Sequence, residues 1–182
     1  MLKTLTLVFF AAFMLAGAMG LQAQNRLSLE PVAKSTTEVS LVYGKKSAIV
    51  ELGGILSGDP PHIYRVLFSA EKNGALYLLV NVHSHSPVSD KKTPCGGEST
   101  QALLWIQADK TLKKRTLHSE IYESCDYYDA KINVTKSSVF VLFRSHEVDK
   151  RNGGTLDEWT TLTYDNLHPE NGLTLGSHGT EG

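Results

Sequence analysis

From Thr36 onward the chain keeps a period of two. In TEVSLVY (37–43), Val39, Leu41 and Tyr43 alternate with Glu38, Ser40 and Val42. Strand-like stretches of the same kind return in SAIVEL (47–52), IYRVLFSA (63–70), ALYLLVNVH (75–83), RTLHSEIYESC (115–125) and SVFVLFRSH (138–146). Successive strand side chains point to opposite faces, so alternation assigns one set of residues to a buried face, whereas a surface helix repeats at 3.6. No stretch carries a convincing amphipathic helix pattern, and ALLWIQAD (102–109), ambiguous by periodicity alone, is taken as a strand.

Turn chemistry separates these runs. Asn73-Gly74 within EKNG is a strong hairpin signal because both residues tolerate left-handed backbone, and the glycines and prolines of GGILSGDPPH (53–62) mark a loop. About nine short strands result, predicting an all-β domain: an antiparallel β-sandwich or small β-barrel with one disulfide. The candidate core is one face of each strand, comprising Val66, Phe68, Leu76, Leu78, Val80, Leu104, Ile106, Ile132, Val134, Phe140 and Leu142.

The N-terminus reads as an export signal. Lys3 precedes an apolar run from Leu5 to about Met19, then small residues, with cleavage expected after Ala23 and Gly20 as the alternative. A membrane anchor is the competing reading, but the run is marginal for a span and no basic cluster follows it. The division is therefore a cleaved signal peptide at 1–23, a single all-β domain at 24–176 and a flexible tail at 177–182, in a secreted or periplasmic protein with no transmembrane segment in the mature chain. Cys95 and Cys125 are the only cysteines, and in an exported chain an even pair predicts a Cys95–Cys125 disulfide. Such a bridge stabilises by about 3.5 kcal/mol in the chain-entropy model. The whole sequence has 18 basic and 19 acidic side chains, and loss of the signal removes only Lys3 from that balance. Nothing there suggests nucleic acid as a partner.

Several constellations bear on chemistry. His83 and His85, two apart on one strand, project to the same face and could hold zinc with His118 or His146 as a further ligand, zinc needing neutral imidazole donors. The plainer reading is the polar end of a strand, which needs no cofactor. No G-x-S-x-G elbow or H-E-x-x-H helix occurs. Tyr127 and Tyr128, beside Cys125 and with Tyr122 and Trp105 as candidate neighbours, form a candidate recognition patch, Tyr being enriched at interfaces. The plainer reading packs one of the two tyrosines into the core and leaves the other shielding a turn. DKTLKKR (109–115) reads first as a solvated hairpin turn whose lysines blunt edge pairing, with a positive patch for an anionic ligand as the lesser alternative. Asn133-Val134-Thr135 is a glycosylation pattern that has meaning only in a eukaryotic source.

The function expected from these residues is binding rather than catalysis: an exported module for a protein or an envelope polymer such as a polysaccharide, with the loops around Cys95 and Cys125 as its expected surface. The alternatives are a zinc-binding protein or metal-dependent hydrolase using His83 and His85, and a structural subunit of an envelope assembly. The first requires a third ligand within reach of the histidine pair, and the recognition patch requires exposed tyrosines.

Overall fold

The computed structural model of the chain describes residues 26–33, 35, 37–52, 61–85, 99–124, 127–148 and 155–181. The expected signal segment and both cysteines, with their expected disulfide and the loop stretches at 86–98 and 125–126 expected to carry binding, lie outside those residues. The described chain is all-β, with eleven strands rather than about nine. These are β1 (Ser28–Pro31), β2 (Glu38–Tyr43), β3 (Lys46–Glu51), β4 (Pro61–Lys72), β5 (Ala75–His85), β6 (Ser99–Asp109), β7 (Arg115–Glu123), β8 (Tyr127–Val134), β9 (Ser138–Val148), β10 (Thr155–Asp165) and β11 (Thr174–Glu181). A 3-10 turn, Pro169–Asn171, joins the last two. Three antiparallel sheets result, ordered β1-β2-β3, β4-β5-β6-β7 and β11-β10-β9-β8. Among the described residues no helix is long and apolar enough to cross a membrane.

Every hydrogen-bonded neighbour is also a sequence neighbour, which short turns make possible. Asn73 and Gly74 take φ of 52° and 79°, the left-handed pair that a two-residue hairpin needs to match strand twist. Gly44, at φ 60°, serves the β2–β3 turn. Ser124 and Tyr127 exchange backbone hydrogen bonds of 2.9 and 3.3 Å, so β7 passes tightly into β8 and carries the chain from one four-stranded sheet to the other.

β4-β5-β6-β7 lies between the other two sheets, because β5 and β6 are buried on both faces. Leu76, Leu78, Val80 and Val82 of β5, with Ala102, Leu104 and Ile106 of β6, pack against Val39, Leu41 and Val50 of the first sheet. The intervening Tyr77, Leu79, Leu103 and Trp105 pack against Val141, Phe143, Leu162 and Tyr164 of the third. A strand covered on both faces loses its alternation and reads as a continuous apolar run, as LYLLV and ALLWI do. Each fully buried leucine contributes roughly 1.5–3 kcal/mol relative to exposure, so these two strands dominate the apolar burial.

The one-face expectation for the core is corrected by this arrangement. Leu76, Leu78, Val80, Leu104 and Ile106 are buried and Phe68 partly so, but Val66, Ile132, Val134 and Phe140 are exposed. In β9 both alternating sets are apolar, and the structure turns Val139, Val141 and Phe143 inward, leaving Phe140 and Leu142 on the outer face. Ile132 and Val134 stand opposite Val141 and Val139, on the inner side, yet β8 is an edge strand and the central sheet does not cover them. β1 carries little sequence signal, being only four residues long and ending in Pro31, which an edge strand tolerates. β11 continues to Glu181 opposite Asp157, so backbone pairing reaches into the stretch expected to be a tail.

Two-faced burial has a direct test. Leu78→Ala and Leu79→Ala, neighbours on opposite faces of β5, should each cost about 2–5 kcal/mol of unfolding free energy in urea. A loss below about 1 kcal/mol at either position would mean that one face of β5 is uncovered.

Candidate functional site

The two stretches singled out for chemistry separate in space. His83 is half-buried near the end of β5, opposite Gln101 of β6, and the side chain of His85 lies outside the described residues. His118 sits on β7 opposite Trp105, exposed, with Nε2 2.7 Å from Oε1 of Glu120. From Gln101 to Trp105 is about 13 Å along the strand, and β5 to β7 adds two spacings of about 4.8 Å, so His83 and His118 cannot share an ion. The backbone of His146 pairs with Asp157 on β10, its side chain being outside the description. Among the described residues no group of three or more His, Cys, Asp or Glu is placed to hold a metal.

Three of the four aromatics proposed for recognition belong to the second core instead. Trp105 is buried and its Nε1 donates to the Pro169 carbonyl at 3.0 Å. Tyr122 is buried at the register shift between β6 and β7, which brings its ring toward the third sheet. Tyr127 packs edge-on against Phe143, centroids 5.4 Å apart. The Tyr128 side chain lies outside the description, its backbone pairing with Arg144. The Tyr122 hydroxyl lies 3.0 Å from Asn81 Oδ1 and 2.9 Å from Gln101 Oε1, and Gln101 Nε2 donates to Glu123 at 2.6 Å. Burial pushes the phenol up to about 12. The ring is neutral and hydrogen-bonded, which suits a structural closure of the core rather than proton transfer near neutrality.

The opposite end gathers the tight turns of all three sheets. Polar contacts tie them across the layers. Lys46 Nζ donates to the Lys110 carbonyl at 2.7 Å, Lys110 pairs with Glu71 at 2.5 Å, and the Tyr43 hydroxyl donates to Glu71 at 3.3 Å. Lys72 then joins the central sheet to the third, donating to the Leu167 carbonyl at 2.7 Å and to Glu170 at 2.9 Å. The Lys110 and Lys72 ammonium groups, by their hydrogen bonds, hold the Glu71 and Glu170 carboxyls below their ordinary range.

Local sequence fixes the β6–β7 turn within this end. The Asp109 carboxylate accepts from the Thr111 hydroxyl at 2.7 Å and from the backbone amides of Lys113 and Lys114 at 2.9 and 3.3 Å. These bonds, that of Thr111 foremost, depress its pKa. Leu112 is buried in the first core at φ 60°. Left-handed backbone costs a non-glycine residue about 1–2 kcal/mol, and burying the leucine, worth roughly 1.5–3 kcal/mol, offsets it. The Arg115 guanidinium donates to the Leu112 carbonyl. With the turn so pinned, Lys113, Lys114 and Arg115 line a groove of about 610 Å³ shared with Asn73, Gly74 and Gln107. The Lys113 and Lys114 ammonium groups pair with no carboxylate among the described residues.

The candidate site is this turn end. The positive patch was visible in DKTLKKR, while its fusion with the Asn73-Gly74 turn was not, since the two are brought together only by the pairing of β5 with β6.

The ion pairs across the turns make stability depend on acid in a definite direction. Depressed carboxyls contribute fully above their unfolded values of about 4.5, and the contribution fades as pH falls through the lower folded values. Thermal melts should therefore show a melting temperature that falls below pH 4.5, and Lys72→Met with Lys110→Met should flatten the fall. An unchanged slope in the double variant would remove these pairs from the account. No family model, no curated protein and no solved structure matches this chain.

Proposed function

We propose that this chain is an exported, non-enzymatic binding module, a β-sandwich whose central sheet is also covered on its second face, and that its turn end holds an anionic polysaccharide of the cell envelope or its surroundings. The observation that carries the reading is the groove of about 610 Å³ with Lys113 and Lys114 on its wall, beside Arg115 and Asp109, whose charged groups are both already engaged by the turn itself.

Magnitudes favour a polymer over a small anion. An exposed ion pair is worth about 0–1 kcal/mol, so one carboxylate or phosphate would bind weakly. A chain of regularly spaced anions engages several cations together, each contact after the first being intramolecular. The pinned backbone of the β6–β7 turn also helps, because little loop order is lost on binding.

The test is titration of the full chain, labelled for fluorescence anisotropy, with polygalacturonate and dextran sulfate, using neutral dextran as control. Both polyanions should bind, more weakly as salt rises. Lys113→Glu with Lys114→Glu should weaken them by about tenfold or more, from two lost contacts of roughly 0.7 kcal/mol each. Equal binding of neutral dextran, absence of polyanion binding, or an unaffected double variant would each overturn the reading.

A further inference from the structure

The third sheet carries a second, smaller depression at the same end, and its lining has a different chemistry. A pocket of about 350 Å³ lies between the start of β9, the end of β10 and the 3-10 turn. The exposed Phe140 ring forms one wall, 42% accessible, and Asn171, Asp165, Thr163, Thr174 and Ser138 supply the polar lining. No lysine or arginine contributes to it. The volume falls at the small-ligand end of the roughly 300–1,000 Å³ range of binding pockets.

We infer that this pocket binds one pyranose unit of a carbohydrate, stacking the apolar face of the sugar on Phe140 while Asn171, Asp165 and the threonine hydroxyls meet its hydroxyl groups. An amide offers both donors and acceptors, a carboxylate only acceptors, and hydroxyls either, so the set matches a ligand rich in O–H groups. An aromatic ring beside such groups provides for the C–H face that a pyranose also presents. The competing fit is an alkylammonium ion, which a carboxylate and an aromatic face can also attract. It is disfavoured here because Phe140 is the one exposed ring of the lining, whereas quaternary ammonium ligands are characteristically held by several aromatic faces.

The pocket is built in advance of its ligand. Asn171 ends the 3-10 turn, with its amide bonded to the His168 carbonyl at 3.0 Å. Gly172 follows at φ 69°, a conformation that favours glycine, packed against the Trp105 ring. Trp105 in turn holds the Pro169 carbonyl, and Lys72 holds Glu170. These ties also place the pocket beside the cationic groove. Asn73, which lines the groove, adjoins Lys72, and Asn171, which lines the pocket, adjoins Glu170, so the 2.9 Å Lys72–Glu170 pair links the two sites. The inference rests on the polysaccharide reading above and specifies it: an acidic polymer containing a neutral sugar, the anions over Lys113 and Lys114 and the neutral ring on Phe140.

Amide spectra of the ¹⁵N-labelled full chain, titrated with methyl β-D-glucopyranoside and methyl β-D-galactopyranoside to about 50 mM (weak, millimolar affinity being typical of so small a contact), test it. Shifts confined to the amides around Phe140, Asn171 and Thr174 are expected for at least one glycoside. They should vanish in Phe140→Ala and in Asn171→Ala and persist in Phe140→Tyr. They should also persist in Lys113→Glu with Lys114→Glu, which separates loss of the pocket from loss of the groove. Silence with both glycosides, shifts scattered over the surface, or the same shifts produced by tetramethylammonium would overturn it. A folded Asn171→Ala that still binds would do so too.

Discussion

Covering β5 and β6 on both faces is the constraint on which the rest of this molecule depends. Neither flanking sheet could hide its apolar face without a partner, and the central sheet gives each of them the same pair of strands to pack on. The backbone of β5 and β6 is thereby dry on two sides, and its ladder satisfies the peptide groups that water cannot reach. The first core runs from Leu27 and Val39 through Leu78 and Leu104, and the second from Leu79 and Trp105 through Val141 and Leu162. Removing either cover would expose half of the apolar residues of two strands.

That stacking also creates the candidate site. With the sheets layered and each a simple meander, the tight turns of three sheets come to one end, where Glu71, Lys72, Lys110 and Glu170 can reach across layers. These contacts are exposed and contribute little singly. Their effect is positional: Lys72 holds the 3-10 turn, and Asp109 and Leu112 hold the β6–β7 turn. Lys113 and Lys114 line the groove that these ties leave open, and Phe140 and Asn171 line the pocket.

The parts of the fold that local chemistry decides were legible. Asn73-Gly74 announced its hairpin, and the all-β class followed from the period and the turns. What tertiary packing decides was not. In VFVLF (139–143) both faces are apolar, and only the position of the central sheet chooses Val139, Val141 and Phe143 for the inside. Trp105 and Tyr122 looked available for recognition because a sequence does not show a second cover over the same sheet. The basic turn was visible as charge, but the Phe140–Asn171 pocket left no local signal, since its walls come from three strands and a turn whose meeting depends on register.

Residue-resolved native-state hydrogen exchange, followed at increasing denaturant, tests the central claim most directly. Because β5 and β6 are enclosed on both sides, their amides around Leu78, Leu79, Leu104 and Trp105 should open only with global unfolding, whereas outer strands such as β3 and β8 should open at lower free energy. Exchange from β5 and β6 at a lower free energy than from β9 and β10 would contradict the account, placing the stability of the molecule somewhere other than its doubly covered sheet.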